Sequence, residues 1–195
     1  MSKTCIGYAL CGSFCTFKKA ITQMEKLIEL GYDVLPIMSH TAYETDTRFG
    51  KAKDFVQKIE DITQKKIIRS IPMAEPIGPK KMCDLLLVCP CTGNTLSKLS
   101  LGITDTPVTM AVKSHLRILR PVLLCVATND ALGASAQNIG RLLNTKNVYF
   151  VPLSQDAPDT KPNSLVSHFE LIPHCVEKAL SKVQSQPVFL GPQSV

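Results

Sequence analysis

The side chains able to do chemistry gather in short turns that follow apolar runs. Pro90, Cys91, Thr92, Gly93, Asn94 and Thr95 come directly after the most apolar run, residues 84–89, and open into a helical pattern. The first N–H groups of a helix lack intrahelical partners and carry the positive end of its dipole. Two hydroxyls, an amide and a glycine at that place therefore suit an anionic or hydrogen-bonding ligand. Gly12 and Ser13, with Phe14 beside them, stand in the same relation to the run 4–10. Gly12 permits close backbone approach, and Ser13 can either cap a helix or offer its hydroxyl to a phosphate. Ser39 and Thr41, either side of His40, follow the run 32–38, and Thr128 and Asn129 follow the run 121–126. Glu75, in an irregular stretch with Pro72, Pro76, Gly78 and Pro79, is the candidate acid or base.

Such turns need a scaffold that delivers strand ends to one surface. After the run 4–10, Phe17, Ala20, Ile21, Met24, Leu27 and Ile28 recur at helical spacing, and Gly31 closes the helix. A strand at 32–38 and an amphipathic helix over 47–63 follow, with Ile67 and Ile68 a short strand at most. The run 84–89 has no alternation, which predicts a strand covered by helices on both faces. Beyond it come a helix ended by Gly102 and a helix with core positions Val108, Ala111, Val112, Leu116 and Leu119. The remainder reads as a strand at 121–126, a helix at 131–143, a strand at 148–151 and a last helix over 164–183. The polar stretch 154–163 is too poor in apolar residues to be core and suits a lid or a subunit contact. The alternation predicts an α/β fold, a doubly wound, mostly parallel sheet flanked by helices in a three-layer sandwich. One domain is expected over 1–184, with 185–195 a loosely held tail.

Composition narrows the function classes. Apolar residues make up 45% of 195, enough for a sizeable core. The net charge of +6 is spread along the chain without a long basic run or interleaved aromatics, which argues against nucleic acid and suits a small anion. No apolar run approaches the about 20 residues of a membrane span, so a cytoplasmic location is expected. The eight cysteines include no Cys-x-x-Cys pair, which predicts buried reduced thiols and no metal site. Neither a Walker loop nor a Gly-x-Gly-x-x-Gly occurs.

Taken together and in order, Gly12-Ser13, Ser39, and the stretch from Pro90 to Thr95 with Lys98, Gly102 and Asp105 behind it resemble the family of FMN-binding cysteine decarboxylases and flavin prenyltransferases. That family's third motif usually reads Pro-x-Ser-Ala-Asn-Thr-x-x-Lys-x-x-x-Gly-x-x-Asp-Asn-Leu; here Thr92 and Gly93 replace Ser-Ala, and Thr106-Pro107 replaces Asn-Leu. The resemblance implies that Gly12, Ser13 and Ser39 contact the phosphate and ribityl chain of FMN, and that Pro90 to Thr95 line the ring and its polar edge. It also implies flavin sites between protomers, hence a trimer or a multiple of it. Glu75 stands where the decarboxylases carry a catalytic His, and Thr128-Asn129 where the prenyltransferases carry Arg-Glu. Binding residues are kept while those catalytic residues are not. These losses, with the wording from Gly7 to Phe17, resemble family members that oxidise a small dicarboxylate together with a separate NAD(P)-domain subunit. The alternatives are a non-catalytic partner of that subunit, or a decarboxylase or prenyltransferase with an altered pocket.

Overall fold

The unalternating apolar runs become the interior strands of a computed structural model that describes residues 3–191. Strands β1 (Cys5–Leu10), β2 (Asp33–Met38), β3 (Leu85–Cys91), β4 (Val122–Thr128) and β5 (Val148–Phe150) pair in parallel. Their spatial order is β2-β1-β3-β4, with β5 on the early half of β4. Two short strands, β6 (Leu153–Ser154) and β7 (Leu165–Ser167), add antiparallel pairing at the late end of β4, where Ala127 and Thr128 face Val166 and Leu165. The sheet is thus mostly parallel, in a single α/β domain flanked by helices.

Alternate residues of each strand enter different cores, as the two-residue side-chain period of a strand requires. Ile6, Tyr8 and Leu10 of β1 and Leu85, Leu87 and Cys89 of β3 pack under α1 (Phe17–Glu29), α3 (Ala52–Thr63) and α8 (Ile172–Leu180). Ala9, Leu86 and Val88 pack on the other face under α5 (Gly93–Ser100), α6 (Pro107–Leu116) and α7 (Ala136–Leu143). All seven residues of β3 are buried. Two short helices complete the set, α2 (His40–Glu44) and α4 (Ile71–Ala74).

Several expectations are corrected. The helix expected over 47–63 begins at Ala52, because the Asp46 carboxylate captures the Ala52 N–H at 2.8 Å and Gly50 turns the chain at φ 150°. The helix expected from 131 begins at Ala136, since the N–H groups of Gly133 and Ser135 both bond the Asp130 carbonyl in a turn. The early part of the expected helix 164–183 is β7, recruited by strand partners on both sides. Leu119, expected in the core, is 60% exposed at φ 60° just beyond α6. Within the tail, residues 188–190 pair with β6: Leu153 donates to the Val188 carbonyl and accepts from the Leu190 N–H. Residues 192–195 of that tail lie outside the described residues.

All eight cysteines are free, and six are buried. Burial pushes the Cys11 thiol up to about 11 and the Cys83 thiol up to about 12, so both are neutral packing groups. Among the described residues no helix is long and apolar enough to cross a membrane.

One buried base makes stability pH-dependent. His115 on α6 is fully buried, its Nδ1 3.7 Å from Cys83 Sγ. Burial, helped by the nearby Arg120 guanidinium, lowers it from 6.5 to about 4. Between those values only the unfolded chain takes up the proton. The stabilisation is therefore complete above the unfolded value and is lost as pH falls toward 4, about 3 kcal/mol in all. Urea unfolding at pH 7 and at pH 4.5 is expected to show His115→Gln losing less stability on acidification than the parent protein.

Candidate functional site

Three strand-end turns converge on one open cavity of about 790 Å³. After β1, Ser13 and Phe14 lead into a single 3₁₀ turn, Phe14–Thr16, before α1. After β3, Thr92 caps α5, its hydroxyl accepting from the Thr95 N–H at 3.2 Å. The Thr95 hydroxyl donates to Cys11 Sγ at 3.2 Å, and the Cys11 N–H reaches the Pro90 carbonyl at 3.3 Å. These bonds tie the first and third turns together. After β4, Asp130 accepts from both the Thr128 and Ser135 hydroxyls, the latter at 3.0 Å.

Of the sequence-predicted residues, Gly12, Ser13, Phe14, Thr92, Gly93, Asn94, Thr128 and Asn129 line the cavity. The others stand behind it. Ser39 caps α2, its hydroxyl oxygen accepting from the Ala42 N–H at 3.2 Å. The Thr41 methyl packs toward Gly12, where an added Cβ would meet it at 3.2 Å. Pro90 and Cys91 are buried within the end of β3 rather than exposed in the turn, and Thr95 is 7% exposed. Glu75 is not among the lining residues; its carboxylate lies 3.6 Å from Arg117.

The structure adds Lys19, Arg48, Phe49, Asp130, Asp156, Lys161 and Ser164 to the wall. Asp130 shares the turn already singled out, and Asp156 and Lys161 lie in the polar stretch read as a lid or contact. Arg48 and Phe49 carried no signal, since they fell within a helical pattern; the guanidinium stands 4.9 Å above the Phe49 ring. Three cations thus face two carboxylates. Burial raises Asp156, but the Ser164 hydroxyl, its own backbone N–H and Lys161 at 3.5 Å outweigh this and hold it below the usual carboxylate range. A hydrogen bond from Lys98 likewise lowers Asp105; both carboxylate oxygens lie 2.8 Å from Nζ, joining α5 to the loop before α6.

This arrangement can hold a ligand with an anionic group and a polar planar edge. The first N–H groups of α5, the Ser13 hydroxyl and Lys19 can serve the anion. Asn94, Thr128 and Asn129 offer both donors and acceptors to the edge, and Phe14 and Phe49 offer apolar faces. Gly93 makes room for the polar cluster behind this wall: a Cβ there would lie 2.7 Å from Asp130 Oδ1 and Thr128 Oγ1 and 2.9 Å from Ser135 Oγ. Among the described residues no cluster of three His, Cys, Asp or Glu groups is placed to hold a metal ion.

The family model described as Flavoprotein matches residues 1–179. The dipicolinate synthase B subunit of Bacillus subtilis is 45% identical over 185 residues, covering 95% of this chain and 92% of that protein. The crystal structure of the dipicolinate synthase B subunit from Bacillus halodurans matches with a TM-score of 0.88 at 45% identity, covering 96% of each chain. DmrB of Burkholderia xenovorans, solved in complex with FMN, shares the fold at a TM-score of 0.69 and 15% identity, over 92% of this chain and 96% of that one. The chain belongs to the flavoprotein family and, within it, to the group of the dipicolinate synthase B subunits.

Proposed function

We propose that the cavity at the ends of β1, β3 and β4 binds FMN and that the chain is the flavin subunit of a dipicolinate synthase. The observation that carries this reading is the convergence of Gly12, Ser13, Thr92, Gly93 and Asn94 on one cavity of about 790 Å³, within the usual range for cofactor sites. The residues fit the group. Ser13, Lys19 and the N-terminus of α5 take the phosphate; Asn94, Thr128 and Asn129 orient the ring through its polar edge; Phe14 and Phe49 cover its faces and exclude water. Bound FMN supplies a two-electron acceptor suited to removing hydride from a ring carbon. With a separate NAD(P)-binding A subunit, the chain oxidises dihydrodipicolinate to pyridine-2,6-dicarboxylate during sporulation, in the cytoplasm of the mother cell. The charge of +6 favours a dicarboxylate. The working form is a homo-oligomer, a trimer or a multiple of it, in which residues 154–163 help to close each site.

A second reading, in which the chain only binds and supports the A subunit, is favoured by one observation. Among the described residues the cavity wall contains no histidine, and Glu75 faces Arg117 outside it. Titration with FMN followed by assay with and without the A subunit separates the two. Micromolar flavin binding and strict dependence of turnover on this chain are expected. Lack of flavin uptake overturns the cofactor assignment, and full turnover by the A subunit alone overturns the catalytic role.

A further inference from the structure

Three cations stand on the wall of the cavity at the strand ends, Lys19, Arg48 and Lys161. Two of them have an anion to serve. Lys161 lies 3.5 Å from the Asp156 carboxylate, and Lys19, in the first turn of α1, takes the phosphate in the proposed function. Arg48 has none: among the described residues no carboxylate lies within ion-pair distance of it.

An unpaired surface arginine is usually a mobile chain, and this one is held. Its guanidinium stands 4.9 Å above the Phe49 ring, a stacking that orders the plane and leaves the N–H edges free to bind. The two residues form the tip of a tight turn. The Thr47 N–H donates to the Gly50 carbonyl at 3.0 Å and the Gly50 N–H to the Thr47 carbonyl at 3.1 Å, while the Thr47 hydroxyl accepts from the Phe49 N–H at 3.2 Å. Behind the tip, Gly50 sits so close to Phe55 that a Cβ would lie 2.8 Å from its ring. Phe55 meets Phe17 edge to face at 5.2 Å, Phe17 meets Phe14 at 5.0 Å, and Phe14 lines the cavity. The tip is thus braced, through a row of aromatic rings, against the turn that carries Ser13. A planar guanidinium held in this way over a cavity is a preorganised two-point receptor for a carboxylate.

We propose that Arg48 is the specificity-determining residue for the second ligand of this cavity, pairing with one carboxylate of the substrate while Lys19 serves the flavin. This deepens the proposed function, on which it rests for the identity of the substrate, and names the side chain that tells two carboxylates from one.

Calorimetric titration of the FMN-loaded chain with pyridine-2,6-dicarboxylate and with pyridine-2-carboxylate tests it. The dicarboxylate is expected to bind at least about tenfold more tightly, the worth of one hydrogen-bonded charge pair. Arg48→Ala brings that ratio close to one by weakening the dicarboxylate. Arg48→Lys, which keeps the charge but loses the planar fork, gives an intermediate ratio. The FMN affinity of Arg48→Ala is expected to stay within about twofold of the parent. Failure of both probes to bind, or a ratio unchanged in Arg48→Ala, overturns the proposal. So does a loss of FMN affinity in Arg48→Ala with riboflavin affinity kept, which assigns the guanidinium to the flavin phosphate instead. Lack of flavin uptake by the parent is a separate result: it overturns the cofactor assignment, and the ratio is then read on the unloaded chain in the same way.

Discussion

Gly78→Ala is expected to cost at least about 3 kcal/mol of unfolding free energy, more than an ordinary surface substitution can. A Cβ at this position would lie 2.0 Å from the Ser114 carbonyl oxygen. That atom is backbone within α6 and cannot rotate away. Gly78 has helical angles, φ −72° and ψ −63°, which alanine adopts readily, so the whole loss is steric. The contact is also hydrogen-bonded, the Gly78 N–H donating to Ser114 Oγ at 2.9 Å while the Ser114 hydroxyl donates to the Glu75 carbonyl. Urea unfolding checks the size of the effect. Ser114→Ala in the same chain removes the hydroxyl but leaves the carbonyl, so it is expected to bring no rescue. Stability within about 1 kcal/mol of the parent would mean that the stretch 75–78 does not sit against α6 as described.

The second large effect concerns the ligand. Gly93→Ala is expected to weaken FMN binding tenfold or more, on the order of 1.4 kcal/mol or above. The added methyl would press on Asp130, Thr128 and Ser135, three side chains already bonded to one another and so unable to move singly. Flavin fluorescence quenching reads the affinity, and Asp130→Ala in the Gly93→Ala background is expected to restore part of it by emptying the crowded space. Full affinity in Gly93→Ala would remove this polar cluster from the binding wall. The cluster also explains a departure seen in the sequence. Alanine is usual at this position in the resembling family, and here Asp130 occupies the space a methyl would fill.

The order of strands and helices was legible because a parallel sheet buries whole runs such as residues 84–89, and the chain shows each run with the turn that ends it. The same logic singles out Gly12, Ser13, Thr92, Gly93 and Asn94 from the amino-acid order alone. Ser39 and Thr95 are less legible, because a hydroxyl beside a helix start has two uses and sequence does not say which of them the fold draws on. In Ser39 the backbone N–H of Ala42 prevails. Nor is β7 legible, a three-residue strand whose state is decided by distant partners: Ser167 Oγ accepts from the Val126 N–H at 2.8 Å and donates to the Val151 carbonyl. Tertiary pairing of this kind overrides local preference. Lys19, Arg48 and Lys161 escaped notice for a related reason, since each is an ordinary surface cation until the fold brings them to one wall.

The pairing of Ala127 and Thr128 with Val166 and Leu165 sets the late end of the chain beside turns that follow its first strand. The cavity at the strand ends is consequently a closure between distant parts of the sequence, and no partly unfolded form lacking either part retains it. A ligand held there is bound by the fully native state alone. Its binding free energy therefore adds in full to global stability, about 2.7 kcal/mol at a free concentration about one hundred times the dissociation constant. Occupancy of the site and integrity of the whole fold are two readings of a single equilibrium.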